Sequence, residues 1–303
     1  MMTRTRTHAR ALMRAVLAAL LCCLAATPPA NPGVVAAATT DKEKMKAEDV
    51  VAKHLESIGT AEARRAVRNL VASGSVVFTI RSGGKGQTGG SSLIASEGEM
   101  NLLKMIFQSS PTYPYELLSY DGKTFGAVHV RPGARSPLGE FLMSHDMIFK
   151  QGLMGGTLTT AWPLLNLSER NPKLDYEGMK KIGDRETHEL RYTPRKGSEM
   201  KIKLFFDAET FQHVRTEYER TVAAALGGRI STQGASTGKN EVRYKLVEDF
   251  SDFKKEGGLM LPHTYKLTMN VQGPIIVLQD WVFDLTQFAF NQQLNLKDFT
   301  PQS

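Results

Sequence analysis

Two neighbouring runs near the centre of the chain decide the fold. They read Thr187-His-Glu-Leu-Arg-Tyr-Thr193 and Met200-Lys-Ile-Lys-Leu-Phe-Phe-Asp207. In both runs apolar and polar side chains alternate with the period of two that is typical of a half-buried β-strand. The intervening Pro194-Arg-Lys-Gly-Ser198 has the length and the turn residues of a hairpin loop. The sequence therefore predicts antiparallel strands with one apolar face, which another part of the chain must cover.

A third strand is predicted from Phe211 to Tyr218, directly after these two. Its alternation continues the meander and divides six side chains between two faces. The apolar face receives Val214, Thr216 and Tyr218, and the opposite face receives His213, Arg215 and Glu217.

Strand patterns also flank this centre, and helices are expected near the start and in the middle of the chain. A helix is predicted over Lys46–Leu55 with Gly59 as its stop, and a second short helix with Thr60 as its N-cap. We count about ten strands and no alternation of strands with helices, which predicts an α+β protein on one antiparallel sheet. The remaining strand signals are Val76–Ile80, Leu93–Phe107, the two runs joined by the Asp121-Gly122 turn, Glu241–Leu246, His263–Gln272 and Ile275–Leu285; Gly83–Gly86 and Ala225–Lys239 are predicted breaks or loops.

The first 38 residues have the pattern of a secretory signal peptide. Four arginines precede the apolar run Ala15–Ala26, and Ala36-Ala-Ala38 offers small residues for cleavage. The run is short for a membrane span, so an uncleaved anchor is the less favoured alternative. Both cysteines, Cys22 and Cys23, lie in this segment, and Leu21 before them disfavours lipid attachment. We therefore expect an exported protein whose mature chain, 39–303, contains no cysteine and is stable in an oxidising compartment.

Composition and charge exclude some classes of function. The chain is 41% apolar and 23% charged, as is ordinary for a globular protein. Its formal charge of +7 falls to +3 without the four arginines of the signal segment. The remaining basic residues alternate with acids along strands, so a nucleic acid is not an expected partner.

An apolar insertion at about 132–175 interrupts the strand patterns. Ser136-Pro137 predicts a helix start, with serine as N-cap and proline at the first helical position. The segment from Ser136 to Leu165 is apolar but contains Gly152, Gly155 and Gly156. We interpret it as a helical or irregular apolar insertion, for which ordinary core packing is the favoured explanation and a cover over the sheet is the alternative.

The sequence lacks the usual constellations of catalytic or metal-binding residues. It has no HExxH or paired-cysteine spacing, no nucleophile elbow, no phosphate-binding loop and no dinucleotide fingerprint. Asp184, Glu186 and His188 share a strand face, but a polar strand start explains them better than a metal site. Ser144-His145-Asp146 is more typical of a helix end than of a triad, because adjacent residues do not converge. We expect no catalytic residue, no metal and no cofactor.

A series of motifs in a characteristic order resembles the outer-membrane lipoprotein-sorting superfamily, the LolA/LolB-like proteins. The motifs follow the signal segment and the first helix and span most of 50–299. They are Ser96-Glu-Gly-Glu-Met100, Tyr120-Asp-Gly-Lys-Thr124, Lys180-Lys-Ile-Gly-Asp-Arg-Glu-Thr-His-Glu-Leu190, Phe205-Phe-Asp-Ala-Glu-Thr210, Glu248-Asp-Phe-Ser-Asp-Phe253 and Gly258-Leu-Met-Leu-Pro262.

The resemblance implies a curved antiparallel sheet, an unclosed β-barrel, with helices covering its concave apolar face. It implies a non-enzymatic periplasmic carrier or binding protein for lipid or lipoprotein acyl chains. The alternative is an envelope sensor or scaffold that uses the same fold to bind a protein partner, such as an envelope membrane protein. Insertions at 132–175 and 222–240 make this chain longer than the compact members, so the lipid itself is not specified.

The predicted ligand site is a hydrophobic cavity between the sheet and its cover. Adaptable methionines on the sheet and in the insertion would suit an irregular apolar ligand. We expect the three glycines to act as hinges, so that the cover closes over the empty half-barrel and a ligand displaces it. The wall is predicted to consist of Phe78, Met105, Phe107, Leu204, Phe206, Leu267 and Met269, and the cover of Leu153, Met154, Trp162 and Leu165.

Overall fold

The computed structural model describes residues 45–82, 86–223, 241–273 and 276–302. The described residues belong to the compact unit Lys44–Ser303. The predicted signal peptide with its two cysteines and the predicted 225–239 loop lie outside them. None of the helices within the described ranges has the length and apolar character needed to span a membrane.

Five α-helices, twelve β-strands and three 3-10 helices, Gly156–Leu158, Pro163–Asn166 and Leu296–Phe299, make up the described structure. The helices are α1 (Ala47–Ile58), α2 (Ala61–Ala66), α3 (Pro137–Ser144), α4 (Met147–Lys150) and α5 (Leu167–Arg170). The strands are β1 (Asn69–Ile80), β2 (Gly86–Glu97), β3 (Met100–Ile106), β4 (Tyr115–Tyr120), β5 (Phe125–Ala127), β6 (Lys173–Ile182), β7 (Arg185–Thr193), β8 (Lys201–Asp207), β9 (His213–Ala223), β10 (Glu241–Glu256), β11 (Leu259–Gln272) and β12 (Val277–Phe290).

All twelve strands form one antiparallel sheet. Their order is β5-β4-β3-β2-β1-β12-β11-β10-β9-β8-β7-β6, so the first and last strands of the chain pair at its centre. Within the described residues the edge strands β5 and β6 do not pair with each other, and the sheet is not closed into a barrel. The expected α+β class with one unclosed antiparallel sheet is confirmed.

The strand count of about ten was too low for two physical reasons. The predicted strand Leu93–Phe107 is two strands, β2 and β3, because Gly98 takes a positive φ of 58° and turns the chain. The edge strand β6 was not predicted. None of its residues is buried, half of them are polar, and its bulge at Tyr176/Gly178 interrupts the alternation.

Local turn and cap signals were read correctly from the sequence. The Thr60 hydroxyl accepts a hydrogen bond from the Ala63 amide, and the Ser136 hydroxyl accepts one from the Gly139 amide, 2.8 Å away. Asp121 closes the β4–β5 turn by accepting from the amides of Lys123 and Thr124. Because these interactions involve only near neighbours, short sequence patterns suffice to predict them.

A bulge in β9 overturns the predicted orientation of His213. The pairing of β8 with β9 is regular as far as Phe205 opposite Arg215, but Phe206 then faces His213 and Val214 is an extra residue. One extra residue reverses the alternation of faces. His213 is consequently buried in the interior, with its ring 6.1 Å from that of His54.

Candidate functional site

The predicted wall residues all lie in one buried apolar cluster. Leu204 and Phe206 reach it from β8, Leu267 and Met269 from β11, and Met105 from β3. Phe78 and Phe107 flank the ring of Tyr113, at 4.6 and 5.0 Å between ring centroids. The structure thus brings the predicted wall together; that it binds a ligand remains a prediction.

The space in front of this wall is occupied by residues 136–170, which we call the covering segment. Leu153, Met154 and Trp162 from this segment are buried in the same cluster, and Leu165 packs against it while partly exposed. The indole of Trp162 stacks on the ring of His213 with 4.5 Å between centroids. The apolar face of the sheet is therefore filled by the protein's own side chains.

Several polar contacts fix the covering segment to the rest of the protein, and three of them are made near its middle. The Trp162 Nε1 group donates to His54 Nε2 in α1 at 3.1 Å, and the Thr160 amide donates to Ser96 Oγ at 2.8 Å. The Gly155 amide donates to Glu248 Oε1 in β10 at 2.7 Å. The segment contains only short helices and turns, so these few contacts and its apolar side chains hold it in place.

The glycines of the covering segment are explained by conformation and packing. Gly152, Gly155 and Gly156 all have positive φ, which L-residues with a Cβ rarely adopt. A Cβ on Gly152 would lie 1.9 Å from the Ala161 carbonyl oxygen, and one on Gly156 would lie 2.8 Å from His213 Nδ1. Backbone conformation and close packing explain why glycine occupies these positions. The predicted role of the three glycines as hinges stays a prediction.

Two buried histidines beneath the segment are held neutral. His54 accepts from Trp162 through Nε2, so its Nδ1 carries the proton and donates to the Phe211 carbonyl oxygen at 3.0 Å. Burial lowers the pKa of His54 to about 4 and lowers the pKa of His213 well below its usual value. Protonation of either ring would place an uncompensated charge in the apolar interior.

A buried carboxylate on the sheet was not recognised in the sequence. Glu248 accepts from the hydroxyls of Tyr218 and Tyr265, each at 2.6 Å, besides the Gly155 amide. Burial raises the pKa of Glu248 to about 7. The sequence feature that could have predicted it is the position of Glu248 between Leu246 and Phe250 on the apolar face of a strand, where a carboxylate needs hydrogen-bonding partners.

A second buried carboxylate lies beneath α3. Glu116 in β4 accepts from the Tyr113 hydroxyl at 2.8 Å, and that hydroxyl accepts in turn from Trp281 Nε1 at 3.0 Å. Burial raises the pKa of Glu116 to about 7. Both oxygens of Glu248 have hydrogen-bonding partners, which is typical of a structural anchor in a core, whereas Glu116 Oε1 has no partner among the described residues.

The candidate catalytic and metal residues do not converge. Among the described residues no group of three or more His, Cys, Asp or Glu side chains is close enough to hold a metal ion. His188 lies against Tyr176, whose hydroxyl is 3.1 Å from Nδ1, and Glu186 is exposed. Ser144-His145-Asp146 forms the junction between α3 and α4, as predicted for a helix end.

An open groove lies where the covering segment meets α1, α2 and the sheet. It has a volume of about 370 Å³, within the range typical of small-molecule sites. Two arginines line it, and no carboxylate is among the described residues that do. The lining comprises Leu55, Ile58, Ala61, Val67, Leu70, Leu165 and Leu259 with Arg64, Arg65, Thr157, Thr159, Thr160 and Asn166.

One residue of the groove lining has a buried polar atom without a partner. Thr157 is buried, and its Oγ1 forms no hydrogen bond with any described residue. An unsatisfied buried hydroxyl costs about 1–3 kcal/mol. Of the residues predicted for the ligand site, Leu165 is the one that lines this groove. The groove itself could not be predicted from the sequence, because its walls come from three distant parts of the chain.

The sheet of this structure is antiparallel and unclosed, and its apolar face is covered. Solved structures similar to it include a DUF1329 family protein from Desulfovibrio piger, with 12% identity, a TM-score of 0.47 and coverage of 84% of this chain and 96% of that chain. A LolA superfamily protein from Nitrosomonas europaea has 11% identity, a TM-score of 0.43 and coverage of 84% and 98%.

A third similar structure is a domain from Vibrio parahaemolyticus named for outer membrane lipoprotein sorting. It has 14% identity, a TM-score of 0.42 and coverage of 82% of this chain and 97% of that chain. The second and third of these structures have names that belong to the superfamily whose motif order this sequence resembles. Identities this low do not transfer a ligand or a partner from one protein to another. No protein-family model matches the chain, and a search of curated proteins found no significant match.

Proposed function

We propose that this protein is a non-enzymatic carrier or binding protein of the cell envelope that holds lipid or lipoprotein acyl chains. In this proposal residues 1–38 direct export to the periplasm, and residues 39–303 form the binding domain with its insertion at about 132–175. The ligand site is the apolar face of the sheet, with the predicted wall residues as its floor.

The observation that carries the proposal is the way in which this face is covered. A segment of short helices and turns, not a long helix, supplies the apolar side chains that fill it. An acyl chain presents the same kind of surface as Leu153, Met154 and Trp162. It could therefore replace their contacts with little change in the apolar area exposed to water.

The proposal is tested by asking what the native protein carries. Protein purified from its own envelope in mild conditions should release lipid or acylated peptide on extraction, detected by mass spectrometry. The delipidated protein should then take up a fluorescent long-chain fatty acid. Absence of both a co-purifying lipid and any uptake would contradict a carrier function.

An envelope sensor or scaffold is the second candidate, and one observation favours it. The interior is filled by the protein's own side chains, so the sheet could serve as a rigid platform for a protein partner. A pull-down from envelope extracts separates the two functions. A partner that is retained equally by delipidated and lipid-loaded protein would favour the scaffold, whereas retention that depends on the acyl chain would favour the carrier.

A further inference from the structure

The groove combines an apolar floor with a positive rim. Leu70 from β1 and Leu259 from β11 form part of the floor, and both also belong to the buried cluster beneath the covering segment. Arg64 and Arg65 from α2 form the rim. A molecule that occupies the groove thus touches the covering segment and the sheet at once, at the seam where they would separate.

Arg64 is held in a defined place at this rim. Its Nη1 group donates to the carbonyl oxygens of Leu55 and Gly59, which end α1. The last carbonyls of a helix carry partial negative charge, so the guanidinium is anchored there. Arg65 follows on the exposed side of the groove. Glu62 of the same helix is fully exposed and is not among the lining residues.

The unpartnered Thr157 hydroxyl is a second, independent sign of a polar ligand atom. Thr157 belongs to the covering segment and is one of the lining residues, and its buried Oγ1 has no partner among the described residues. A hydroxyl can donate to an anionic oxygen, and guanidinium groups bind carboxylates through paired hydrogen bonds. Two arginines, a hydroxyl and an apolar floor in one groove match an anion joined to an alkyl chain.

We infer that this groove binds the carboxylate of a long-chain fatty acid, with Arg64, Arg65 and Thr157 on the headgroup and the apolar floor on the first part of the chain. The inference rests on the proposed function, because it requires that the protein binds acyl chains. It adds that the headgroup is anionic and is recognised by these side chains. The volume of about 370 Å³ favours one chain and a small headgroup over a two-chain phospholipid.

The test compares dodecanoate with its neutral methyl ester at concentrations below micelle formation, by titration calorimetry with the full mature chain. Dodecanoate should bind at least tenfold more tightly than the ester, and its affinity should fall as salt is raised. Arg65→Gln should weaken dodecanoate binding fivefold or more and leave the ester unchanged. Arg68→Gln, an exposed arginine outside the groove lining, is the matched control and should change neither.

Thr157→Val keeps the shape of the side chain and removes its hydroxyl. It should weaken dodecanoate binding at least threefold without changing the affinity for the ester. Arg64 is left intact because it also caps α1, and Arg65 is exposed, so a folding defect is not expected to obscure the result. A melting temperature for each variant confirms this.

The outcomes distinguish the inference from the function on which it rests. Equal binding of acid and ester, with no effect of Arg65→Gln, overturns the headgroup site and leaves an acyl-binding protein. Binding of neither ligand overturns both. Preferential binding of a two-chain phosphatidylglycerol vesicle over dodecanoate, still dependent on Arg65, also overturns the assignment to a fatty acid.

Discussion

The amide of Gly155 donates a hydrogen bond to the carboxylate of Glu248, with 2.7 Å between N and Oε1. This bond joins the covering segment to the middle of β10, beneath the apolar side chains that fill the sheet. The hydroxyls of Tyr218 and Tyr265 complete the shell of the carboxylate. The attachment of the segment is therefore linked to a group that titrates near neutral pH.

Stability should depend on pH through Glu248. Its folded pKa of about 7 lies above the ordinary value of 4.5, so the folded state holds the proton more tightly. The resulting contribution to stability is fully present below pH 4.5 and is lost as the pH rises through about 7. Between pH 5 and pH 8 the free energy of unfolding of the parent protein should therefore decline. In Glu248→Gln this decline should be smaller by on the order of 3 kcal/mol. Urea unfolding at both pH values measures it.

The control for this variant is Glu241→Gln, an exposed glutamate at the start of the same strand. It should leave the pH dependence unchanged. His54 and His213 act in the opposite direction, since their contribution is present above pH 6.5 and is lost as the pH falls towards the lowered pKa. Both histidines are present in the parent protein, in Glu248→Gln and in Glu241→Gln, so their contribution cancels in the comparison. An unaltered decline in Glu248→Gln would mean that Glu248 does not titrate in this range.

Substitution of Gly152 should show how tightly the covering segment is packed. Gly152→Ala combines a φ of 68° with a Cβ only 1.9 Å from the Ala161 carbonyl oxygen. Gly197→Ala has a similar φ of 75° but no atom within 4 Å, so it isolates the backbone strain. We expect a loss of about 1–2 kcal/mol for Gly197→Ala and a loss at least twice as large for Gly152→Ala, measured by chemical denaturation. Equal losses would show that the segment moves aside at little cost.

A charge on the sheet face tests whether the wall is dry. Leu204 is fully buried on β8, and Leu204→Asp places a carboxylate in an apolar environment without a hydrogen-bonding or charged partner. The expected loss is several kcal/mol, roughly the cost of an unpaired buried polar group or more. Lys201→Asp on the exposed side of the same strand should stay within about 1 kcal/mol of the parent. Circular dichroism on urea titration provides both values, and a small loss for Leu204→Asp would indicate water behind the covering segment.

Sequence patterns predicted the sheet because its alternation is a property of single strands. They also predicted the caps at Thr60 and Ser136, which depend on residues three positions away. His213 was misplaced because a bulge is decided by pairing between strands, and no single-strand pattern carries that information. The groove and the Gly155–Glu248 bond join residues far apart in the chain. Only the folded arrangement reveals such sites, since one sequence shows which residues are apolar but not which of them meet.

Displacement of the covering segment by a ligand should be visible at Trp162. The chain has two tryptophans, Trp162 and Trp281, and both are fully buried. In a Trp281→Phe variant, a bound long-chain fatty acid should shift the Trp162 emission to longer wavelength and increase its quenching by acrylamide. The indole would lose its bond to His54 and its stacking on His213 and would meet water.

The energetics favour a segment that opens only when a ligand binds. Exposure of Leu153, Met154 and Trp162 costs about 1.5–3 kcal/mol for each side chain, and an acyl chain that buries the vacated surface offsets that cost. The Trp162→Phe variant reports on Trp281, which lies in β12 against Tyr113 and should keep its spectrum. If calorimetry shows fatty-acid binding while Trp162 is unperturbed, the covering segment is fixed core and the chain binds elsewhere. The groove lies at the edge of the covering segment, so binding in the groove alone would leave Trp162 buried. The emission spectra of Trp162 and Trp281 together would therefore distinguish a ligand bound in the groove from one that has displaced the covering segment.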